Sequence, residues 1–483
     1  MALCRLPDLI VDRDTDSKLR ARAATRLREL IGWAASVSYD DVPPAVRRHA
    51  ALVIVDDVAA MVGARDEPEL RALHERVSAE PGRPESTLFC GAAVRVSRVE
   101  AAVANAVAAN WCELDAGYRK VGCHVGLYTV PALIAEAEVQ RLSAAEVIRV
   151  LAVAYEVVAR FARCWRFPAP RSIHPHATFA AVGTAIAIGL ARKLDTETLL
   201  RAISAASTLV TLGPFRHAVE GALIENCWAG AGAWNGFRAV DWAGCGIGGL
   251  ATSPYDVYAR VLGAESHPED LTDGLSHEWA IADGYHKIYS CCQHAHASVE
   301  ALLPLLGQFP PGKGIVDIAK VDVAVHRLAL ELDNARPRTT LGARFSMPQI
   351  IAATLVYGHA GITAFATGTL DDPSIASLRS KVGLRLYQPE MEWPNDRPAR
   401  VTITFDGGST LVGECLSARG GRDRPFSPQV ILDKTAALTV GIYPDFAAVA
   451  SDLVDLDEEL LAHPWGDLVH RLTVRSATVE LQR

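Results

Sequence analysis

The chain has 483 residues, half of them hydrophobic and 22% charged, with a formal net charge of −8. This length predicts two or three domains, and the lack of a large basic excess argues against a nucleic-acid partner. Ten cysteines, none of them in a CxxC spacing, are too few for a disulfide scaffold and are typical of a reducing compartment. The N-terminus does not have the pattern of a signal peptide, and the apolar stretches are too short or too interrupted to span a bilayer. We therefore expect a cytoplasmic protein without a membrane partner.

The first half of the chain is typical of packed helices. We expect residues 1–20 to be disordered and residues 21–270 to form a large all-α domain. Ser143, with Glu146 three residues later, predicts a helix start because the two side chains can form a capping box. The segment HATFAAVGTAIAIGLARKL is rich in small residues and predicts close packing against a neighbouring helix.

A change in composition indicates a smaller α+β domain over residues 271–424. The segment IVDIAKVDVAVH alternates apolar and polar residues, as a half-buried strand does. VGLRLYQPE and ARVTITFDGGSTLVGECLS also predict strands, and Asp-Gly-Gly in the second predicts a hairpin turn. Residues 347–366 predict a helix. Residues 425–483 are helical again and should pack on the first domain, so the predicted fold class is mainly α, with the large helical domain built from both chain ends.

One polar loop follows Trp111, between two Ala-rich runs that predict buried helices. It gathers Glu113, Asp115 and His124 within twelve residues and is interrupted by glycines. A polar, glycine-punctuated loop on a rigid scaffold is typical of sites that present reactive groups. The alternative is an ordinary helix connection whose charges are solvated.

The sequence offers no convincing metal or nucleotide site. The segment GCGIGG follows a helix rather than a strand, which removes the setting that a dinucleotide loop needs. His174–His176 and His294–His296 are HxH pairs, but both lie at predicted loop-to-helix junctions rather than on a strand. Adjacent Cys291 and Cys292 have no second pair. We therefore predict no metal and no cofactor.

Four further segments, in this order and spacing, add a resemblance to a known family. They are SIHPHATFAAVGTAIAIGLARKL, EGALIENCWAGAGAWNGFRAV, DGYHKIYSCCQHAHASVEALL and ARFSMPQIIAATLVYG. Together with the acidic loop they resemble the MmgE/PrpD family, which includes 2-methylcitrate dehydratase, cis-aconitate decarboxylase and iminodisuccinate epimerase. The resemblance implies a helical domain, an α+β lid with the site in the cleft between them, a homodimer, and no organic cofactor or metal. It also implies a lyase or isomerase that acts on a small di- or tricarboxylate.

The residues that match the family's motifs are the candidates for the site. The resemblance implies catalytic roles for His124, His174, Lys287 and Asp115, with Asp115 orienting His124. A carbanion next to a carboxylate adds charge to an existing anion, so a cation is needed nearby. Histidines are natural proton carriers near neutral pH. The remaining candidates, expected to contact the substrate or to support those that do, are Glu113, Glu225, Trp228, Tyr289, Arg344, Gln349 and His296.

Three of these candidates depart from the family pattern. Glu225 stands where the family has lysine, Trp228 where it has histidine, and Gln349 where it has tyrosine. A carboxylate in place of a lysine predicts a substrate with fewer carboxylates, or one with an amine or hydroxyl at that place. The alternative is that Glu225 points away and pairs with Arg216 or Arg238.

Several functions remain open from the sequence. The leading prediction is a 2-methylcitrate dehydratase-like lyase, followed by an epimerase and then a decarboxylase. A second possibility is a family member that has lost catalysis and only binds a carboxylate metabolite. A third is a helical scaffold with no small-molecule site, which the clustering of charged residues in loops between buried helices argues against.

Overall fold

A computed structural model describes residues 13–168 and 172–480, apart from the side chains of residue 13 and residues 474–480. The predicted mainly helical fold is confirmed. The α-helices are α1 (Arg13–Ser36), α2 (Pro44–Gly63), α3 (Pro68–Ala79), α4 (Arg98–Trp111), α5 (Val125–Gln140), α6 (Ala144–Cys164), α7 (Pro175–Ala191), α8 (Thr196–Ala206), α9 (Phe215–Glu220), α10 (Trp228–Gly244), α11 (His296–Leu302), α12 (Arg327–Leu330), α13 (Thr340–Arg344), α14 (Met347–Tyr357), α15 (Pro373–Arg379), α16 (Pro428–Thr439), α17 (Phe446–Asp455), α18 (Glu458–Ala462) and α19 (Trp465–Glu480). Among the described residues, no helix combines the length and the apolar character that crossing a membrane requires.

The start of α1 differs from the sequence expectation. Disorder was expected for residues 1–20; helix α1 begins at Arg13, and residues 1–12 lie outside the described residues. Two acidic side chains, Asp14 and Asp16, lie in the first turn, where negative charge is favourable beside the positive end of the helix dipole. Asp14 also pairs with Lys18 one turn later.

The strands are short, apart from one sheet. They are β1 (Ser86–Leu88), β2 (Val94–Val96), β3 (Gly117–Tyr118), β4 (Trp165–Arg166), β5 (Glu265–Ser266), β6 (Gly284–Tyr285), β7 (Ile318–Val325), β8 (Val382–Leu386), β9 (Ala399–Phe405) and β10 (Thr410–Cys415). The larger sheet has the order β10–β9–β7–β8, with β7 and β8 parallel and the other pairs antiparallel. All three predicted strand segments are confirmed, and the hairpin turns through Gly407 and Gly408 at positive φ.

The buried apolar side chains form two clusters. The first draws on residues 23–281 and on residues 431–472 near the end of the chain. The second draws on residues 215–219 and 289–418 and includes the inner face of the four-stranded sheet. Helices α16 and α17 pack against α2, which joins the C-terminal part of the chain to the first cluster.

The close packing predicted for α7 is confirmed. At Gly232 of α10, a Cβ atom would lie 2.3 Å from the Cβ of Ala180 in α7. At Gly183 of α7 itself, a Cβ would lie 2.6 Å from the Cβ of Tyr128 in α5. Small residues therefore let these helices approach closely, and this fixes the positions of the histidines at the start of α7.

Candidate active site

A two-stranded ribbon brings the acidic loop to the lysine segment. β3 and β6 pair antiparallel, with Gly117 opposite Tyr285 and Tyr118 opposite Gly284. Continuing this register by two residues places Lys287 opposite Asp115. The Nζ of Lys287 lies 3.0 Å from Asp115 Oδ1. Strand pairing thus joins two segments that are far apart in the sequence.

Gly117 is required at this crossing because the ring of Tyr285 lies over it. A Cβ atom at position 117 would lie 2.3 Å from the Cζ of Tyr285. We expect Gly117→Ala to destabilise the protein by about 1–3 kcal/mol through overpacking, measured by denaturant unfolding. Gly32→Ala is the matched control: its Cβ meets nothing within 4 Å, and alanine favours a helix interior. Equal free energies of unfolding for the two variants would show that Tyr285 moves aside without a cost in stability.

Lys287 is fully buried and bridges two carboxylates. Besides Asp115 it contacts Glu113, with 3.0 Å between Nζ and Oε2. Burial acts to raise the pKa of Asp115, but the charges of Lys287 and His124 outweigh it and hold that pKa well below its usual value. Burial likewise opposes the charge of Lys287, yet Asp115 and Glu113 hold its pKa well above its usual value. Glu113 has a φ of 53°, a conformation uncommon for residues other than glycine. The acidic loop thus places charged side chains in the protein interior.

His124 connects this charged group to a cavity. It immediately precedes α5, and its Nδ1 lies 2.5 Å from Asp115 Oδ2. Nδ1–H donates to the carboxylate in both the neutral and the protonated ring. The hydroxyl of Tyr285 lies 3.3 Å from Nε2, and it can donate to that nitrogen in the neutral ring or accept from it in the protonated ring. The predicted orientation of His124 by Asp115 thus has the geometry of a base held by a buried carboxylate.

A second group gathers at the start of α7, opposite His124. Glu225 Oε1 lies 3.5 Å from His174 Nε2 and 3.7 Å from His176 Nε2. The hydroxyl of Tyr128 lies 2.9 Å from His176 Nδ1. The backbone N–H of His176 donates to His174 Nδ1 over 3.4 Å. Burial, and then the neighbouring His174 and His124, hold the pKa of His176 well below its usual value, so this imidazole is neutral.

Glu225 points into the protein rather than toward an arginine. Burial, and then the charges of Glu113 and Asp115, raise its pKa well above the usual value. Asn110 donates to its Oε2 over 3.3 Å, whereas its Oε1 accepts no hydrogen bond. The arginines expected as alternative partners pair elsewhere: Arg216 contacts Glu220 and Asp333, and Arg238 contacts Asp241. The alternative pairing is therefore wrong.

The two groups face a small cavity of about 40 Å³. Its walls come from the helical part of the chain, up to Phe215, and from the segment between Tyr285 and Arg397. The lining residues are Glu113, Gly122, His124, His174, Pro175, His176, Phe215, Tyr285, Cys292, Gln293, His294, Phe345 and Arg397. Arg397 also lines a larger outer cleft of about 730 Å³, where Arg119 and Lys120 lie near Asp283 and Asp396. Arg397 is thus shared by the cavity and the outer cleft.

The sequence-predicted residues divide into three groups in the structure. Glu113, His124 and His174 line the cavity. Asp115, Lys287, Glu225 and Trp228 lie directly behind them, and the ring of Trp228 lies 5.5 Å from that of His174. The other four candidates contact residues that belong to neither of these two groups. Arg344 contacts Glu67, Gln349 contacts Arg379, Tyr289 contacts Arg419, and His296 contacts the carbonyl of Cys291.

Ten of the thirteen lining residues were not predicted as site residues from the sequence, among them His176, Tyr285 and Arg397. His176 stands in the HxH pair noted there, so a signal for it existed. Tyr285 reaches His124 only through the β3–β6 register, which the sequence does not reveal. Arg397 lies in a segment with no recognisable motif. Such residues become visible only when distant parts of the chain are brought together.

The C-terminal helix α16 holds both sides of the ribbon. The ammonium of its Lys434 donates to the carbonyls of Leu114 and Lys287, over 2.9 Å and 2.8 Å. It also pairs with Asp56 in α2, whose other oxygen lies 2.7 Å from His286 Nδ1. The last part of the chain is therefore part of the support for the site.

Comparison with known proteins agrees with these observations. The model of the MmgE/PrpD N-terminal domain matches residues 28–256, and that of the MmgE/PrpD C-terminal domain matches residues 289–458. The chain belongs to the MmgE/PrpD family. A cis-aconitate decarboxylase of Aspergillus terreus is 25% identical over 445 residues, which cover 85% of this chain and 88% of that protein. The cis-aconitate decarboxylase-like protein oryM of Aspergillus oryzae is 24% identical over 445 residues, which cover 86% of this chain and 90% of that protein.

Proposed function

We propose that this MmgE/PrpD protein is a lyase that removes carbon dioxide or water from a small di- or tricarboxylate without an organic cofactor. The observation that carries this proposal is the chain of contacts from Lys287 through Asp115 and His124 to Tyr285, which ends at the cavity. The decarboxylase relatives support the reaction class.

The reaction requires a group that carries a proton and groups that stabilise the negative charge formed on the substrate. In a decarboxylation, the bond to the carboxylate carbon breaks, carbon dioxide leaves, and the electron pair stays on the carbon chain. The adjacent carboxylate delocalises that pair, and a proton must then reach the carbon. His124 in its imidazolium form can donate from Nε2 while Asp115 stabilises Nδ1–H, and it ends neutral. In a dehydration, neutral His124 would instead accept the proton from carbon at Nε2, and a second group would protonate the hydroxyl that leaves as water.

Arg397 suits the recognition of a carboxylate at the mouth of the cavity. It lines both the cavity and the outer cleft. A guanidinium can hold a carboxylate through two parallel hydrogen bonds. In this proposal an anionic substrate meets Arg119, Lys120 and Arg397 in the outer cleft and then reaches the histidines. Electrostatic attraction in a cleft raises the local concentration of such a ligand.

We propose that the protein opens when substrate binds. The cavity of about 40 Å³ has room for a few water molecules, and a di- or tricarboxylate is larger. The cavity is lined by residues of the helical part, such as His124 and His176, and by residues of the α+β part, such as Cys292 and Phe345. We propose that the α+β part, residues 271–424, acts as a lid that moves away from the helical part when substrate binds.

The test is proton exchange in deuterated water. The protein is incubated with a panel of di- and tricarboxylates that includes cis-aconitate and 2-methylcitrate, and NMR follows both turnover and loss of α-proton signals. We expect at least one carboxylate to be decarboxylated or dehydrated, with deuterium at the carbon next to a carboxylate. Exchange without net loss of carbon dioxide or water would instead indicate an epimerase. If no carboxylate exchanges although one binds, the protein is a carboxylate-binding family member and the proposal fails.

A further inference from the structure

Two histidines that line the cavity, together with a glutamate behind them, have the composition of a metal site. Among the described residues, His174, His176 and Glu225 form a group whose possible ligand atoms all lie within 4.8 Å of one another. All three side chains are buried. Two imidazoles with one carboxylate is a donor set that catalytic zinc sites use, with a fourth position left for water or substrate. We propose that His174, His176 and Glu225 bind a zinc ion.

The two distances from Glu225 match an ion better than they match direct hydrogen bonds, and the possible ligand nitrogens of the two histidines lie within 4.8 Å of each other. The gaps of 3.5 Å and 3.7 Å from Glu225 Oε1 to the two imidazole nitrogens are long for hydrogen bonds. Four ligands at tetrahedral angles, each bonded to zinc at about 2.0 Å, lie about 3.3 Å from one another. Glu225 Oε1 is fully buried and accepts no hydrogen bond, although it faces both nitrogens. A cation between the three atoms would give this oxygen a partner.

The surrounding contacts orient the proposed ligands. With His176 bound through Nε2, its Nδ1–H can donate to the hydroxyl of Tyr128, 2.9 Å away. Asn110 holds Glu225 Oε2 and leaves Oε1 for the ion. Partners of this kind fix the ligand atoms of metal sites and raise their affinity. For His174, the long contact from the N–H of His176 to Nδ1 would give way to a bond from Nε2 to the ion.

The ion would restore a positive charge that the sequence lacks. Glu225 stands where the family pattern has a lysine, and the neighbouring Lys287 is already paired with Glu113 and Asp115. A zinc ion held there would face the cavity through its open position, because His174 and His176 line the cavity. If the proposed lyase function holds, this ion would bind a substrate carboxylate. The proposal replaces the absence of metal predicted from the sequence.

Cobalt(II) is the probe for this site because it replaces zinc and absorbs visible light. Protein without a polyhistidine tag is stripped with a chelator and titrated with Co²⁺, and Zn²⁺ is then added. We expect one equivalent of Co²⁺ to give the intense bands of a four-coordinate ion, which Zn²⁺ abolishes. No substrate is present, so a negative result leaves the lyase proposal standing, and loss of the lyase activity leaves the titration unaffected.

Variants separate this site from adventitious binding. Glu225→Gln and His176→Gln each remove one ligand and should weaken Co²⁺ binding by more than about 100-fold, while Tyr128→Phe keeps all ligands and should weaken it by about 10-fold. His217→Gln is the matched control and should bind as the wild type does. Circular dichroism checks that each variant folds. Wild-type protein without the bands, or bands of equal strength in Glu225→Gln, His176→Gln and wild type, would overturn the proposal. The wild-type titration and Tyr128→Phe decide the matter even if a ligand variant does not fold.

Discussion

Replacing Lys287 with alanine is expected to reduce turnover by about 10²–10³ and to destabilise the protein by about 3–5 kcal/mol. The two effects have one cause. Lys287 is fully buried between Glu113 and Asp115, and its loss leaves two carboxylates without a cation. One of them must then take up a proton, which disturbs the carboxylate that orients His124. Steady-state kinetics and denaturant unfolding measure the two effects separately.

An exposed lysine supplies the control for this variant. Lys320→Ala removes a surface pair with Asp322 in β7 and should change the free energy of unfolding by less than about 1 kcal/mol. A second variant, Glu113→Gln with Lys287→Met, removes one charge of each sign and should recover part of the lost stability but not the activity. Full activity in Lys287→Ala would remove the buried lysine from the proposed relay.

The second large effect is expected for His124→Ala, which should abolish α-proton exchange. General acid–base catalysis typically contributes about 10²–10⁴ in rate. His124 is the cavity residue whose Nδ1 is held by a buried carboxylate and whose Nε2 faces Tyr285. Removal of the ring breaks the contact between Asp115 and the cavity. Exchange in deuterated water, measured at saturating substrate, reports this step directly.

A graded series makes the assignment of His124 testable. Asp115→Asn keeps the size of the side chain but can no longer accept a charge-assisted hydrogen bond, so the rate should fall while binding persists. His359→Ala, which changes an exposed histidine, is the control and should exchange at the parent rate. If His124→Ala also exchanges at that rate, another group carries the proton.

Local features of the fold could be predicted from the sequence. Ser143 accepts a hydrogen bond from the N–H of Glu146, as the predicted helix start requires. The hairpin at Gly407 and Gly408 was predicted from a turn signal only a few residues long. The helix predicted over residues 347–366 is shorter, because α14 ends at Tyr357 before a glycine in the left-handed conformation. These features depend on neighbours in the chain.

Features that depend on distant segments could not be predicted. The partner of Arg344 is Glu67, 277 residues earlier, and no pattern in either segment indicates the pair. The neighbours of Glu225 depend on how the start of α7 meets the turn before α10. The sequence therefore marked Glu225 as unusual but could not predict which charged groups surround it.

The β3–β6 ribbon has a consequence for how the protein folds. Asp115 and Lys287 are 172 residues apart, and Lys434, which clamps both sides, follows another 147 residues later. During synthesis the acidic loop emerges long before the lysine that neutralises it. Contacts of such long range form late and slow folding. Fragments that end before Lys287 should therefore leave the acidic loop without its cation, and fragments that end before α16 should lack the lysine that holds both sides of the ribbon.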